Sequence, residues 1–354
     1  MQLNLEAFRN IASASLKFEH DRQFFLGLNG QGKTNALEAI GMISALRSFR
    51  TRDSSALIQH GKEQSGLYYR VEQEQMGNSE VTLKFSNKGK RLELDQNSIR
   101  SLGEYIGLFP SVVLASDDLQ LIRGGPALRR RFLDEAFASV DKQYYRTLAR
   151  YQKCLKERNR LLKSNDLDDA VLESFDKTIS EPAVELIQMR RRQIGQLNEN
   201  AKQHYRELSS GKEQASLSYK PDVEANDTSA YLKLLEQSRK RDFRFGSTSI
   251  GPHRDDVQLE LNGRLAAEFG SEGQQRGLVL AMRLAQITFS EAITGVTPLI
   301  LADDVLGELD AYRREGFWKA VGGQYQVFAT GTTLPPEADS QTWKVWKVNS
   351  GEFS

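Results

Sequence analysis

Apolar and polar positions alternate along the first part of the chain in the manner of short strands. Leu3 and Leu5 begin the pattern, residues 14–18 repeat it, and residues 23–26 form a short apolar run that ends at a glycine. Residues 66–97 continue in the same way, with turn residues between the apolar runs. Because successive side chains of a strand point to opposite faces, this spacing predicts β-strands in these segments.

The spacing changes to that of a helix directly after residue 34. Ala36, Leu37, Ile40 and Ile43 recur at intervals of three and four, which places them on one side of a helix. The short segment Gly27–Thr34 therefore lies between a predicted strand and a predicted helix.

The later pattern divides the chain into three parts. Residues 119–242 are mostly helical in spacing, whereas strand-like spacing returns from residue 243. A long apolar helix is predicted near 274–293, followed by a buried strand at about 298–302. We therefore expect one α/β lobe made from residues 1–118 and 243–354, interrupted by a helical arm at 119–242.

Composition restricts the class of protein. The chain has 354 residues, of which 39% are hydrophobic, and no apolar stretch approaches the roughly 18 residues of a membrane span. Its single cysteine, Cys154, rules out an internal disulfide, and the four histidines lack zinc-ligand spacing. The first residues lack the pattern of a secretory signal. We expect a soluble, cytoplasmic protein with no membrane partner.

The net charge of +1 conceals a strong local asymmetry. Residues 120–163 contain 12 Lys/Arg and 4 Asp/Glu, whereas residues 166–185 contain 7 Asp/Glu and 1 Lys. The basic segment is a candidate for phosphate contacts that do not read bases. An ordinary solvated arm, in which the basic helix pairs with the acidic stretch, is an equal alternative. The basic residues considered are Arg123, Arg129, Arg130, Arg131, Arg150, Lys153, Lys156 and Arg158.

The segment between the first strand group and the first helix has the spacing of a phosphate-binding loop, G-x-x-x-x-G-K-[ST]. Glycines let several backbone N–H groups face one concavity, and the following helix directs its positive end at the same anion. Lys33 is expected to reach the β- and γ-phosphates of ATP, and Thr34 to bind Mg²⁺. The predicted nucleotide contacts are Gly27, Leu28, Asn29, Gly30, Gln31, Gly32, Lys33, Thr34 and Asn35.

An apolar strand that ends in two acids supplies the expected magnesium carboxylate. Leu299–Ala302 is followed by Asp303 and Asp304, and an acid at the end of a buried strand is costly unless it meets a cation. We expect Asp303 to hold Mg²⁺ and Asp304 to polarise the attacking water as a catalytic residue together with Lys33.

A third motif lies 32 residues before Asp303 and opens the long apolar helix. Ser271, Gly273 and Gln274 resemble the signature motif of ABC-type ATPases, and a helix start with a serine hydroxyl is a natural anion site. Asp310, after the two acids, resembles the D-loop aspartate of that class. In ABC-type ATPases the signature faces the γ-phosphate bound by a partner subunit.

Nearly the whole chain resembles the RecF family of bacterial DNA replication and repair ATPases. The strings that carry the resemblance are Phe8-Arg9-Asn10, Asn35–Ile40, Leu121–Pro126, Arg129–Asp134, Ile250–Asp256, Gly270–Arg276 and Leu301–Asp310. The resemblance implies an α/β fold, an ABC-type P-loop ATPase head built from both ends of the chain with an inserted α-helical arm.

The resemblance also implies a function. Its members are expected to bind ATP and Mg²⁺, form an ATP-dependent homodimer, bind duplex DNA and single/double-strand junctions, and release DNA on slow hydrolysis. Partnership with RecR and RecO in loading the recombinase RecA at gaps is implied as well. The candidate DNA contacts are Arg123, Arg129, Arg130 and Arg131.

The chain departs from the family pattern at two places, and at a third, Thr330, it agrees with the family but differs from transporter subunits. Ala115-Ser116-Asp117-Asp118 stands where the family usually reads Ser-Pro-Glu-Asp, which leaves the roles of this Q-loop region open. Gly307 replaces a serine before the D-loop, and Thr330 stands where transporter subunits have a histidine. This threonine and the helical arm argue against a transporter subunit. The arm has no sustained heptads for an SMC or Rad50-type coiled coil, and Asp304 argues against a non-catalytic ATP scaffold.

Overall fold

The computed structural model describes residues 1–45, 48–51, 53–73, 77–164, 169–334 and 343–354. The chain forms two compact units. The head unit comprises Met1–Asp118 and Gln286–Ser354, and the arm unit comprises Leu119–Ala285. Strands and helices are numbered in chain order through both units.

The head unit contains most of the strands. Its elements are β1 (Gln2–Phe8), β2 (Ile11–Lys17), β3 (Arg22–Leu26), α1 (Lys33–Ala45), β4 (Gln64–Gln73), β5 (Gly77–Ser86), β6 (Gly89–Leu94), β7 (Asn97–Ser98), α2 (Leu102–Tyr105), β8 (Ser111–Ala115), β12 (Leu299–Asp303), α10 (Ala311–Val321), β13 (Val327–Gly331), β14 (Lys344–Asn349) and β15 (Glu352–Phe353). The strand pattern predicted for residues 66–97 is thus present as β4, β5 and β6.

Two sheets organise the head unit. One is antiparallel, with the strand order β2-β1-β4-β5-β6-β7, and the other has the order β15-β14-β3-β13-β12-β8. In the second sheet β14, β3, β13, β12 and β8 run parallel. The carboxyl ends of β3, β13, β12 and β8 therefore lie along one edge, where ligands bind in open α/β sheets.

Helix α1 contributes to the same core as both sheets. Its buried side chains include Leu37 and Ile40, which belong to one cluster with Leu67 of β4, Leu301 of β12 and Phe328 of β13. Apolar contact on more than one side explains why the helix is apolar around much of its circumference. This packing fixes the beginning of α1 at the edge where β3 ends.

The arm unit is mainly helical. Its elements are α3 (Gln120–Arg123), α4 (Pro126–Ala138), α5 (Lys142–Leu161), α6 (Asp169–Leu208), β9 (Ala215–Lys220), α7 (Thr228–Phe245), β10 (Asp256–Leu261), β11 (Arg264–Leu265), α8 (Ala266–Phe269) and α9 (Glu272–Thr294), the last of which continues into the head unit. Within the described part of the chain, none of the helices combines the length and apolarity that a bilayer crossing requires.

Buried ion pairs hold the arm helices together. Arg158 of α5 is fully buried and donates to Asp176 of α6 at 2.7 Å and to Asp242 of α7 at 2.8 Å. Arg190 of α6 is 2% exposed and lies 2.8 Å from both Asp134 and Asp255. Because a buried charge requires a partner, these contacts fix how α4, α5, α6 and α7 pack.

The second boundary between the units differs from the one expected from the sequence. It lies after Ala285, inside α9, instead of at residue 242. Strand pairing is the reason that β10 belongs to the arm unit, because β10 pairs with β9 along its whole length, from Asp256 opposite Lys220 to Leu261 opposite Ala215. Residues 243–285, which the sequence analysis placed in the head, are therefore part of the arm unit.

Candidate nucleotide site

The loop Gly27–Thr34 connects β3 to α1 at the carboxyl edge of the parallel sheet. Gly30 and Gly32 have φ angles of +79° and +114°, a region that side chains with a Cβ rarely adopt. A Cβ at Gly32 would also lie 2.9 Å from Asn10 Oδ1. The glycines are thus required by the loop conformation, as the phosphate-loop pattern predicts.

Lys33 is the first residue of α1 and is only 4% exposed. Its Nζ donates to the backbone oxygens of Gly27 at 2.8 Å and Leu28 at 3.1 Å. A buried ammonium whose contacts are neutral carbonyls of the loop itself lies where an anion can bind. Leu28, in contrast, is 73% exposed.

Four residues at or beside the ends of β12, β13 and the phosphate loop form a hydrogen-bonded cluster. Thr34 Oγ1 and Thr330 Oγ1 each donate to Asp303 Oδ1 at 2.9 Å. Thr330 Oγ1 also accepts from the backbone N–H of Asp304 at 2.9 Å. Asp304 has a φ of +55°, which is uncommon for a residue with a side chain and marks a strained turn after β12.

Burial raises the pKa of the Asp303 carboxyl above its ordinary value, and the hydrogen bonds from Thr34 and Thr330 partly oppose this effect. The neighbouring charge of Asp304 raises the pKa further, whereas Arg50 lowers it. An incompletely solvated carboxylate with a second carboxylate beside it is an electrostatic environment that a cation stabilises.

The phosphate loop is held in shape by segments that are distant in sequence. The backbone oxygen of Gln31 accepts from Gly351 N at 2.8 Å and from Asn10 Nδ2 at 3.2 Å. Gln31 Oε1 accepts from the backbone N–H of Ser350 at 2.8 Å, and Asn35 Nδ2 donates to Asn10 Oδ1 at 2.8 Å. Asn35 and Gln31, predicted as nucleotide contacts, thus also have structural partners.

A buried glutamate anchors the segment after α1. Glu38 is fully buried and receives two hydrogen bonds from Arg9, at 2.7 and 2.9 Å. Ser48 Oγ also donates to Glu38, and Arg50 NH1 donates to Asn35 Oδ1 at 2.8 Å. Of the three arginines that follow the helix in sequence, only Arg50 belongs to the described residues, because Arg47 and Arg52 lie outside them.

The Q-loop region follows β8, the strand that pairs with β12. Asp118 Oδ2 accepts from the backbone N–H of Ala115 at 3.0 Å, which closes a short turn over Ser116 and Asp117. In the D-loop region, Asp310 caps α10 by accepting from Arg313 N at 2.9 Å. Both acids thus have local structural contacts that their side-chain types favour at helix starts.

In the arm unit, the predicted signature motif begins α9. Ser271 N donates to Gln274 Oε1 at 2.8 Å, while Gln274 N donates to Ser271 Oγ at 3.3 Å. This reciprocal pair is a capping box, so Ser271 and Gln274 satisfy each other at the helix start. Gln274 also donates to Glu213 at 2.6 Å, a contact from the segment before β9 that the sequence analysis did not identify.

The four arginines predicted to contact DNA all have partners within the arm unit. Arg123 donates to Gln275 at 2.8 Å, and Arg130 donates to the backbone oxygen of Asp255 at 2.6 Å. The partners of the other two are Asp256 for Arg129, at 2.7 and 3.0 Å, and Glu135 for Arg131, at 2.7 Å. Arg129 is only 14% exposed and helps to fix α4 on β10.

Arg158, one of the candidates for phosphate contacts, does not make them. Its side chain is fully buried between Asp176 and Asp242, where no polyanion can reach it. A count of charges does not show which face of the helix each residue occupies, and Arg158 lies on the buried face.

The geometry fits the group that the phosphate loop implies. Thr34 and Asp303 bring a hydroxyl and a carboxylate together, and Mg²⁺ prefers such hard oxygen ligands. Lys33 supplies a buried cation for phosphate oxygens, and Asp304 follows Asp303 at the same edge. Thr330 is the residue of this cluster to which the sequence analysis assigned no role. Its position near the carboxyl end of β13, beside the end of β12, was the available signal.

Both the sequence and the structure match known proteins. Residues 1–334 match the model of the RecF/RecN/SMC N terminal domain. A curated relative from Leptospira interrogans, named DNA replication and repair protein RecF, is 39% identical over 335 residues, which are 94% of this chain and 91% of the relative.

Two solved structures extend the comparison. The recombination mediator protein RecF-ATP of the RecFOR pathway matches with a TM-score of 0.91 and 28% identity, over 100% of this chain and 96% of that one. The Smc head domain from Pyrococcus furiosus matches with a TM-score of 0.53 and 14% identity, over 99% and 94% of the two chains, which shows the fold alone. The expected ABC-type head with an inserted helical arm is thereby confirmed.

Proposed function

The chain belongs to the RecF family of DNA replication and repair proteins, and on that premise we propose that it is an ATP-driven, DNA-binding switch of recombinational repair. The observation that carries the proposal is the hydrogen bond between Thr34 and Asp303, 2.9 Å long. It joins the phosphate loop to the acidic end of β12, as the binding of a magnesium nucleotide requires.

Different residues of the site are assigned to the phosphates of ATP and to the metal. The backbone N–H groups of the loop and Lys33 would bind the phosphates, and Thr34 and Asp303 would hold Mg²⁺. When bound, the metal neutralises charge on the phosphate oxygens. Lys33 Nζ would then donate to phosphate oxygens in place of the backbone oxygens of Gly27 and Leu28. Because these backbone oxygens are neutral, no ion pair has to be broken.

Hydrolysis is assigned to Asp304. Its backbone is held by Thr330, which also donates to Asp303, so one hydroxyl orients both acids. Asp304 accepts a hydrogen bond from the attacking water and so orients it for attack on the γ-phosphate. Asp303, which accepts a hydrogen bond from Thr34, is therefore assigned to the metal, and Asp304 is assigned to the attacking water.

We assign the rest of the site to a second copy of the chain. Ser271, Gly273 and Gln274 of the partner would bind the γ-phosphate, and Asp310 would lie near the same interface. The support is the capping box at the start of α9, where a helix N-terminus and a hydroxyl are presented together. ATP binding then closes a homodimer, and hydrolysis opens it.

The closed dimer is proposed to bind duplex DNA and single/double-strand junctions. With RecR and RecO it would help load the recombinase at single-stranded gaps. The similar RecF-ATP structure is that of a recombination mediator protein in the RecFOR pathway, which supports the same assignment here. Contacts from Arg123, Arg129, Arg130 and Arg131 to DNA stay a prediction. Each guanidinium has a partner within the arm unit, which DNA would have to replace.

The phosphate loop is tested by Lys33→Ala. We expect the variant to lose ATP binding and ATP-dependent dimerisation, because the buried ammonium is the side-chain charge of the loop. Nucleotide binding is measured by calorimetry and dimerisation by sedimentation. Leu28→Ala, in the same loop but 73% exposed, is the matched control and should bind ATP normally. Unchanged ATP affinity in Lys33→Ala would reject the site.

The hydrolytic assignment is tested by Asp304→Asn. The amide keeps the shape of the side chain but is a poorer acceptor for the attacking water, so the variant should bind ATP, stop turning it over and accumulate as a dimer. Sedimentation with saturating ATP and Mg²⁺ measures the result. A variant that stays monomeric under these conditions would exclude the two-copy site, whereas normal turnover would exclude Asp304 as the water-orienting acid.

A further inference from the structure

Helix α5 of the arm unit has two faces of opposite character. One face is buried and contains Tyr144, Leu148 and Tyr151. At 100° per residue, these side chains lie on the side opposite an arc of about 80°. That arc holds five exposed cations and one alanine, namely Lys142, Arg146, Ala149, Lys153, Lys156 and Arg160. We call the five cations the α5 stripe.

The α5 stripe is not explained by contacts inside the arm unit. The other basic residues of the helix do have buried or acidic partners, as Arg150 pairs with Glu181 and Arg158 with two aspartates. Arg160 lies 3.7 Å from Glu157 but is 83% exposed. Within the described ranges, the structure shows no ion pair or side-chain hydrogen bond for the remaining four, Lys142, Arg146, Lys153 and Lys156.

The arrangement also opposes the stability of the helix. Lys142 occupies the first helical position, where the helix dipole disfavours a positive charge. Lys142 and Arg146, and likewise Lys156 and Arg160, are like charges four residues apart, and such pairs repel. A surface that only needed to be soluble would intersperse both signs of charge, but the arc contains no acid. A bound polyanion removes this repulsion.

The dimensions suit a nucleic-acid backbone. From Lys142 to Arg160 the helix rises by about 27 Å, a length comparable to about eight base-pair steps of B-DNA along the duplex axis. No aromatic side chain lies within the arc, so it offers no ring on which an unpaired base can stack. The features therefore favour a duplex backbone over single-stranded bases.

From these observations we infer that the α5 stripe is the surface along which the arm binds the phosphate backbone of duplex DNA, without reading its sequence. The inference rests on the proposed function, since it locates the DNA contact of that switch. The α5 stripe is a surface distinct from the arginines 123–131, whose guanidiniums already have partners within the arm unit.

The test is the salt dependence of duplex binding. Each neutralised phosphate contributes a slope of about −0.9 to the plot of log affinity against log salt. The variant changes four residues to glutamine, namely Lys142, Arg146, Lys153 and Lys156. With ATP and Mg²⁺ and a labelled 30-base-pair duplex followed by anisotropy, we expect the slope to become less steep by about 3 to 4. The affinity at low salt should fall at least tenfold.

A matched control removes the same number of charges elsewhere on the arm unit. It changes four exposed lysines to glutamine, namely Lys212, Lys220, Lys233 and Lys240. Its slope should stay within about one of the unmodified protein. Equal losses in both variants would overturn the inference, because binding would then follow net charge and not the stripe. Circular dichroism and ATP affinity should match in all three proteins.

The outcomes separate the inference from the function on which it rests. If the unmodified protein fails to bind duplex DNA with ATP, the proposed DNA-binding switch is wrong and the stripe loses its occupant. If it binds but the stripe variant keeps the full slope, only the α5 assignment is wrong. A loss confined to a single-stranded oligonucleotide of thymidine would likewise overturn the assignment to the duplex.

Discussion

Removing Arg158 provides a quantitative test of how the arm unit is held together. The guanidinium is fully buried and donates to Asp176, Asp242 and Thr248 at 2.7, 2.8 and 2.8 Å. In Arg158→Met the methionine side chain fills the space of the apolar arginine stem, but two buried carboxylates lose the cation that they share. Breaking a buried pair in this way costs about 3–5 kcal/mol, because a charge is left uncompensated.

The remaining contacts decide how that cost is shared. Asp176 keeps Arg239, whose Nε lies 2.9 Å away. Asp242 keeps neutral donors among the described residues, Ser249 N at 2.8 Å and Ser238 Oγ at 3.2 Å. Most of the penalty should therefore come from Asp242. Arg158→Met with Asp242→Asn should be more stable than the sum of the single changes predicts, by about 1–3 kcal/mol.

Urea unfolding followed by circular dichroism at 222 nm measures these changes in the helical arm. A loss of 3–5 kcal/mol corresponds to roughly 6–20 °C in Tm for a unit of this size. The three tryptophans, Trp318, Trp343 and Trp346, all belong to the head unit, so fluorescence follows that unit separately. Arg160→Met, on the same helix but 83% exposed, should change stability by no more than about 0.5 kcal/mol.

The reasoning would be refuted by either of two results. A cost below about 1 kcal/mol for Arg158→Met would show that the buried carboxylates find other compensation. Strict additivity in the double variant would show that Asp242 is not the residue left unpaired.

Two further predictions concern the head and the loop before β10. Thr330→Val removes two hydrogen bonds, the one donated to Asp303 and the one accepted from the Asp304 N–H. A loss of about 1.5–3 kcal/mol in the orientation of Asp304 should slow ATP turnover about 10- to 100-fold. Steady-state kinetics with Thr330→Ser as control checks this, and normal turnover in the valine variant would contradict it. Burial lowers the pKa of His253, whose Nδ1 bonds Tyr151 and whose Nε2 bonds the Thr248 oxygen. Its contribution to stability is thus complete above about pH 6.5 and is lost as the pH falls through the lowered value. His253→Gln should therefore lose less stability between pH 7 and 5.5, measured by urea unfolding at both, and an equal loss would contradict the assignment.

The sequence pattern predicted those parts of the site whose structure depends on residues close together in the chain. The glycines of the phosphate loop, the strand before Asp303 and the capped start of α9 each follow from residue type and spacing within about ten positions. The structure agrees closely with these expectations, as α9 spans Glu272–Thr294 where a helix was predicted near 274–293.

The remaining features depend on contacts that spacing does not encode. Gln31 is held by Ser350 and Gly351, more than 300 positions away, and Thr330 reaches Asp303 only because β13 pairs with β12. The burial of Arg158 likewise needs two other helices. The place of β10 in the arm unit was not predicted because it follows from the pairing of β10 with β9, and the pattern of a single strand does not identify its partner.

The position of β3 in its sheet has a consequence for the order in which the protein is made. This strand carries the phosphate loop, yet its neighbours are β13 and β14, which the ribosome synthesises about 300 residues later. At 5–20 residues per second, the strand waits roughly 15–60 s for its first partner. Within that interval the whole of the arm unit, Leu119–Ala285, is synthesised. The arm is thus expected to fold while β3 is unpaired, and the nucleotide site to be assembled last.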